Sequence, residues 1–406
     1  MESDKLSRLA ALRPASRAQL GTCASASSSS SERLSQLLDA ECVTNHLGSH
    51  IVVKRWFADP QPSNPSVFRL LAPELTAEAV DFNQWVFLDT ETTGLAGGTG
   101  TYAFLVGLAW WADGGLTVEQ FFMRNHGEEP SLLHELTRKL FGRRVLVTFN
   151  GKSFDWPLLE TRYRMTRSAQ VACPKIHLDL LHPARQLWRF RLKSVALANL
   201  ERHVLAVDRG YDIPSETIPG RYFDFLRGGP AEPVAEVFHH NQMDLRGLAA
   251  LAVHIAGLLA RPDTEACDGG ELYGISKLQR KHGEVLEAKN TLERALACGL
   301  PEVAERAARG ELALFAKRRR NFAGANALWE SLLGDSSDGL KAYEQLAIYY
   351  EHHAREPLRA AVLAREALVR LREAAHAGRI PASTYRSWHG RFQKRLNRLA
   401  KKTNPR

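Results

Sequence analysis

Asp89 and Glu91 lie two residues apart in FLDTETTGL (Phe87 to Leu95), at the end of a short apolar run that begins at Trp85. On a strand, residues i and i+2 share a side, so both carboxylates can reach one ion. Two acids held together raise each other's pKa unless a positive charge compensates, and a divalent cation supplies that charge. Oxygen-only ligands suit Mg²⁺ or Mn²⁺ rather than zinc. About 60 residues on, RVLVTF (Arg144 to Phe149) runs straight into NGKSFDWPLL, so that Asp155 follows a second strand and opens a helix. Asp244 lies in HHNQMDL, inside a helical pattern. Acid pairs arise by chance at strand ends. Three carboxylate sites in strand, strand and helix positions of one domain do not.

The elements that must position these acids can be read from periodicity. Apolar, β-branched runs predict strands at Ser49 to Phe57, Tyr102 to Trp111, Leu116 to Met123 and Arg144 to Phe149. Gly114-Gly115 is a turn too short for anything but antiparallel neighbours. Helices are expected at Pro130 to Phe141 and at about 154–167, 193–203 and 231–261. A meander followed by alternating strands and helices predicts an α/β domain over 84–262. Its expected core is a mixed five-stranded sheet flanked by helices, with Asp89 on the central strand and 102–111 antiparallel to it. Residues 41–83 form a lead-in strand and a Pro-rich loop. Residues 1–40, with the serine run from Ala24 to Ser31, offer little to bury and are expected to be disordered.

From about 268 the pattern is helical and repeats. Ala288, Leu292 and Ala295, then Ala325, Trp329 and Leu332, then Ala360, Ala364 and Ala367 share one internal spacing, offset by 37 and then 35 residues. This stretch, 268–375, resembles tetratricopeptide repeats, whose period is about 34 residues, and the resemblance implies a protein or peptide partner. A basic tail, 376–406, closes the chain. From Arg386 to Arg406 it has eight Lys or Arg and no acid, and Trp388, Phe392, Leu396 and Leu399 line one face. Two readings stay open for it: a phosphate-backbone contact, or a helix capping the last repeat.

The whole chain has 406 residues and a net charge of +9, which suits a polyanionic partner. Its five cysteines (Cys23, Cys42, Cys173, Cys267, Cys298) are scattered, with no CxxC spacing, which excludes a cysteine zinc site. No apolar run reaches the roughly 20 residues of a membrane helix, and no signal-peptide stretch opens the chain. A cytoplasmic protein without a membrane partner is expected.

The ordered set DxETTGL, Nx₃FD and a His shortly before Asp resembles the four-acid (DEDD) exonuclease superfamily, which includes the proofreading domains of DNA polymerases. More narrowly, residues 84–250 resemble the bacterial YprB-like group of RNase-H-like exonucleases, through GTGTYAFLVGL (Gly98 to Leu108), HLDLLHPAR (His177 to Arg185) and the stretch from Arg209 to Pro219. The resemblance implies a 3′–5′ exonuclease acting on DNA or RNA, at a single-stranded or 3′ end. It implies two divalent cations held by Asp89, Glu91, Asp155 and Asp244, and a histidine base. One subclass places a His five residues before the last Asp, the other a Tyr four before it. This chain has His239 and His240 at those spacings. Residues four apart share a helical face, which favours His240, with His239 as the alternative. Thr92 or Thr93 and Asn150 are candidate phosphate or sugar contacts, Asp179 a supporting acid. Arg185, Arg189, Arg191 and Lys193 are candidate phosphate contacts or a solvated basic face. Competing readings are an inactive nucleic-acid-binding adaptor, a repeat-based scaffold and a structure-specific endonuclease.

Overall fold

The computed structural model describes residues 20–75, 81–94, 99–166, 174–262, 267–334 and 336–403. Described residues up to Ala184, together with Ser194–Ala260, form one compact unit. Arg185–Lys193 and the described residues from Arg261 onward form a second. Residues 185–193, expected inside the α/β domain, therefore belong to the second unit.

The first unit is built on one mixed sheet of seven strands rather than five: β1 (Glu41–Asn45), β2 (Gly48–Phe57), β3 (Trp85–Thr92), β4 (Ala103–Ala112), β5 (Gly115–Phe122), β6 (Val145–Thr148) and β7 (Ile176–Asp179), in the order β1-β2-β5-β4-β3-β6-β7. The two extra strands come from the lead-in segment. β2 pairs antiparallel with β5 from Ile51↔Phe122 to Phe57↔Leu116, and β1 folds back on β2. A strand edge left bare would expose unpaired backbone groups, and the lead-in covers it. Among the remaining five, β3 is central, antiparallel to β4 and parallel to β6. Trp85, Val86, Phe87 and Leu88 are all buried, as a strand covered on both faces requires.

Helices α1 (Leu20–Leu38), α2 (Glu129–Leu140), α3 (Asp155–Thr166), α4 (Leu181–Trp188), α5 (Leu197–His203), α6 (Ile218–Leu226) and α7 (Glu232–Ala260) complete this part of the chain. The serine-rich segment expected to be disordered is helical over Leu20–Leu38, and Leu34 is fully buried in the sheet's hydrophobic core. Residues 1–19 lie outside the described residues. By length and composition α7 could cross a membrane. Here it packs against β3, β4 and β5 instead. It does so at close range because position 107 is glycine. A Cβ there would lie 2.3 Å from Asn241 Oδ1 and 2.6 Å from Leu245 Cδ1. Gly107 pairs in register with Asp89, so the same close approach brings α7 over the acid-bearing strand.

The second unit is helical: α8 (Gly269–Lys281), α9 (Val285–Ala297), α10 (Glu302–Arg318), α11 (Phe322–Glu330), α12 (Ser337–His352), α13 (Pro357–His376) and α14 (Ala382–Thr403). α8 packs on α9, α10 on α11 and α12 on α13. All nine residues of the repeating Ala/Leu/Trp set are buried. Small alanines at those positions let paired helices approach closely.

The basic tail is α14, and it docks on its own unit. Trp388 and Phe392 are buried with Leu340, Ala364, Ala367 and Leu371, while Leu399 is fully buried beside Ala360. Four of its basic residues meet counter-charges. The buried Glu351 of α12 accepts hydrogen bonds from Arg395, Arg398 and Lys402 at 2.7 to 2.9 Å, and Glu344 accepts from Arg391.

Candidate active site

β3 presents Asp89 and Glu91, the start of α3 presents Asp155, and the middle of α7 presents His240, Asn241 and Asp244. Glu91, His240 and Asp244 each offer one ligand atom, and these atoms lie within 4.8 Å of one another. Asp89 is tied to α7 by Asn241, whose Nδ2 donates to Asp89 Oδ2 at 2.7 Å. Asn241 is in turn fixed by Gln120 of β5, which donates to its Oδ1 at 2.8 Å. Asp155 accepts from Thr90 Oγ1 at 2.6 Å.

The electrostatics are those of a crowded set of like charges. Burial, then the charges of Asp244, Glu91 and Asp155, push the Asp89 carboxyl well above its ordinary range. Burial, then Asp244, Asp155 and Asp212, do the same to Glu91. Burial raises Asp155 to about 6 even though Thr90 favours its charged form. Buried carboxylates that cannot all ionise together call for a cation. All the acids offer oxygen, so the donor set fits a hard divalent ion.

The two histidines differ plainly. His239 is exposed on α7, whereas His240 is buried on the face that carries Asp244, with its Nε2 3.5 Å from Asp244 Oδ2. Its Nδ1 lies 2.6 Å from Asp212 Oδ1. Arg209 donates to the other oxygen of Asp212 at 3.0 Å, to Asp244 Oδ1 at 2.5 Å and to Glu201 Oε1 at 2.7 Å. Burial alone would raise Asp212; the hydrogen bonds from His240 and Arg209 outweigh it and hold the carboxyl below its usual value.

The other candidates have these partners. Thr92 Oγ1 donates to Gly94 O at 2.9 Å, and Thr93 Oγ1 accepts from the backbone N–H of Tyr102 at 2.9 Å, so both hydroxyls serve the segment between β3 and β4. Asp179 accepts from the backbone N–H groups of Asn150, Lys152 and Leu181 at 2.8 to 3.1 Å. It thereby holds Asn150 at a φ of 67° in the loop that leads to Asp155. Arg185, Arg189, Arg191 and Lys193 belong to the second unit, where Arg191 lies 3.6 Å from both Asp268 and Glu271.

Arg209, Asp212, Glu201 and Asn241 were not among the sequence-derived candidates. Asn241 carried a signal, since it sits three residues before Asp244 on one helical face. Arg209 and Asp212 lie in a segment whose spacing shows no periodicity, and only the folded loop brings them to the carboxylates.

A mixed sheet with carboxylates from its central strand and from two flanking helices defines the RNase-H-like class, whose chemistry is nucleic-acid hydrolysis. Family comparison agrees: residues 86–256 match the RNase H superfamily. The protein YprB of Bacillus subtilis (strain 168) is 32% identical over 301 residues, covering 73% of this chain and 72% of that protein. The chain belongs to the same family as YprB, and its residues 86–256 form an RNase H superfamily domain.

Proposed function

We propose that this protein is a metal-dependent 3′–5′ exonuclease acting on single-stranded DNA or RNA ends, with Asp89, Glu91, Asp155 and Asp244 holding two Mg²⁺ or Mn²⁺ ions. The observation that carries this is the convergence of Glu91, His240 and Asp244 within 4.8 Å, with Asp89 tied to the same helix through Asn241 and the Asp89 and Glu91 carboxyls pushed well above their ordinary range. A site built to stay metal-free would not keep so many acids together. When bound, such ions lower the pKa of an attacking water and offset charge on the leaving oxygen. The chain's own groups then have distinct tasks. His240 is placed to take the water's proton through Nε2, which lies 3.5 Å from Asp244 Oδ2 at the carboxylate cluster. Asn241 holds the Asp89 carboxylate in one orientation, and Thr90 does so for Asp155. Asp179 fixes the loop before Asp155. In the second unit, paired helices with alanines at their contacts support a tetratricopeptide-like reading, with a peptide or protein partner.

The test is digestion of end-labelled single-stranded DNA, single-stranded RNA and a duplex with Mg²⁺ or Mn²⁺, against Asp89→Ala and against EDTA. Stepwise shortening from the 3′ end, lost in the variant, is expected. Cutting of a circular single strand would turn the assignment to an endonuclease, and no metal-dependent cleavage of any substrate would overturn it.

A further inference from the structure

We propose that Asp212 is the positioning residue for His240, holding its proton on Nδ1 and leaving Nε2 free at the carboxylate cluster. The inference rests on the reading of His240 as the proton acceptor, and it assigns a role to the segment around Arg209 that the four acids do not explain.

A neutral imidazole has one N–H, and an ionised carboxylate can only accept. With Asp212 Oδ1 at 2.6 Å, the proton belongs on Nδ1. Nε2 then carries the lone pair, on the side where it lies 3.5 Å from Asp244 Oδ2. Histidines at reactive centres are commonly fixed in this way by the partner of their other nitrogen. Asp212 is itself held. Its second oxygen accepts from Arg209 at 3.0 Å, and Arg209 reaches on to Asp244 at 2.5 Å, so one guanidinium sets the loop and helix α7 relative to each other. Beneath Arg209, the buried Glu201 accepts at 2.7 Å. Glu201 fits against α7 only because position 247 is glycine, where a Cβ would fall 1.5 Å from Glu201 Oε1. Gly247, Glu201, Arg209 and Asp212 thus form a continuous support that ends on the histidine.

The experiment reads the ring directly. Metal-free chain with ¹⁵N-labelled histidine is examined by long-range ¹H–¹⁵N correlation at neutral pH, with the signals of residue 240 assigned by their absence in His240→Gln. The ring should show the Nδ1–H tautomer. In Asp212→Asn, which keeps the shape, the amide can donate to Nδ1, and the Nε2–H form should grow. On the nucleic-acid substrate, Asp212→Ala should lower kcat by about 10- to 100-fold, the usual worth of such a supporting group, with KM little changed. A wild-type ring protonated on Nε2 would overturn the proposal without reference to any variant. So would a tautomer unmoved in both Asp212→Asn and Asp212→Ala. A wild-type chain inactive on every substrate would overturn the nuclease reading instead, and the tautomer of residue 240 would still decide this one.

Discussion

Asn241 of α7 donates to Asp89 of β3 across 152 residues of sequence, at 2.7 Å, and that bond ties the helix to the strand on which the acids stand. Removing it should weaken both structure and chemistry. Asn241→Ala leaves Gln120 without one of its two acceptors and frees the Asp89 carboxylate to rotate. Expected losses are about 1–3 kcal/mol of stability and about 10- to 100-fold in metal affinity or kcat. Denaturant unfolding and Mn²⁺ calorimetry on the same variant check both. Unchanged metal affinity would show that the bond serves packing alone.

The site acids should destabilise the metal-free protein as pH rises. Asp155 goes from an ordinary value of 3.8 to about 6 on folding, chiefly through burial. A carboxyl whose folded pKa is raised costs nothing while protonated, and its cost grows as pH climbs from about 4 past 6. Asp155→Asn keeps the acceptor for Thr90 and removes the charge. In EDTA it should gain up to about 2 kcal/mol on wild type between pH 4 and pH 7, while losing nuclease activity. Mg²⁺ should raise the melting temperature of wild type more than that of the variant. A gain that is constant with pH would refute the electrostatic account.

His240→Ala should lower kcat by about 10²- to 10⁴-fold, the range for a positioned acid–base group. His239→Ala should be mild, because His239 is exposed and His240 is buried on the face of Asp244. The reverse ranking would place the chain in the other subclass of the four-acid group.

Helix α14 should act as a cap rather than as a polyanion grip. Deleting residues 382–406 should lower the melting temperature of the helical unit and leave the slope of log affinity against log salt unchanged. A flattened slope would restore the phosphate-contact role. Within the cap, Glu351 is held down at about 2, first by the hydrogen bond from Arg398 and then by that from Lys402. A depressed carboxyl stabilises above its unfolded value of about 4.5 and loses that contribution as pH falls toward 2. Glu351→Gln should therefore cost about 1–3 kcal/mol at pH 7 and little near pH 2.

The sequence by itself determined the strand and helix segments that carry the acids. Continuous apolar runs such as Trp85 to Leu88 and the 3.6-residue pattern of α7 are local properties, and Asp89, Glu91, Asp155 and Asp244 are attached to them. It also determined that His240, not His239, shares a helical face with Asp244, since that follows from helix geometry alone. What only the tertiary structure decided is everything that depends on long-range approach. β1 and β2 joined the sheet because a bare β5 edge needs a partner, and no local pattern says which strand supplies it. Trp388 and Phe392 lie in a core beside a basic face whose Arg391 and Arg395 meet Glu344 and Glu351, more than thirty residues earlier, a pairing no local pattern shows. Arg209 and Asp212 lie in an aperiodic loop, and their meaning appears only where close packing at Gly107 and Gly247 brings α7 onto the sheet and onto Glu201. Periodicity fixes which face of an element a residue takes; which other element meets that face is a matter of packing.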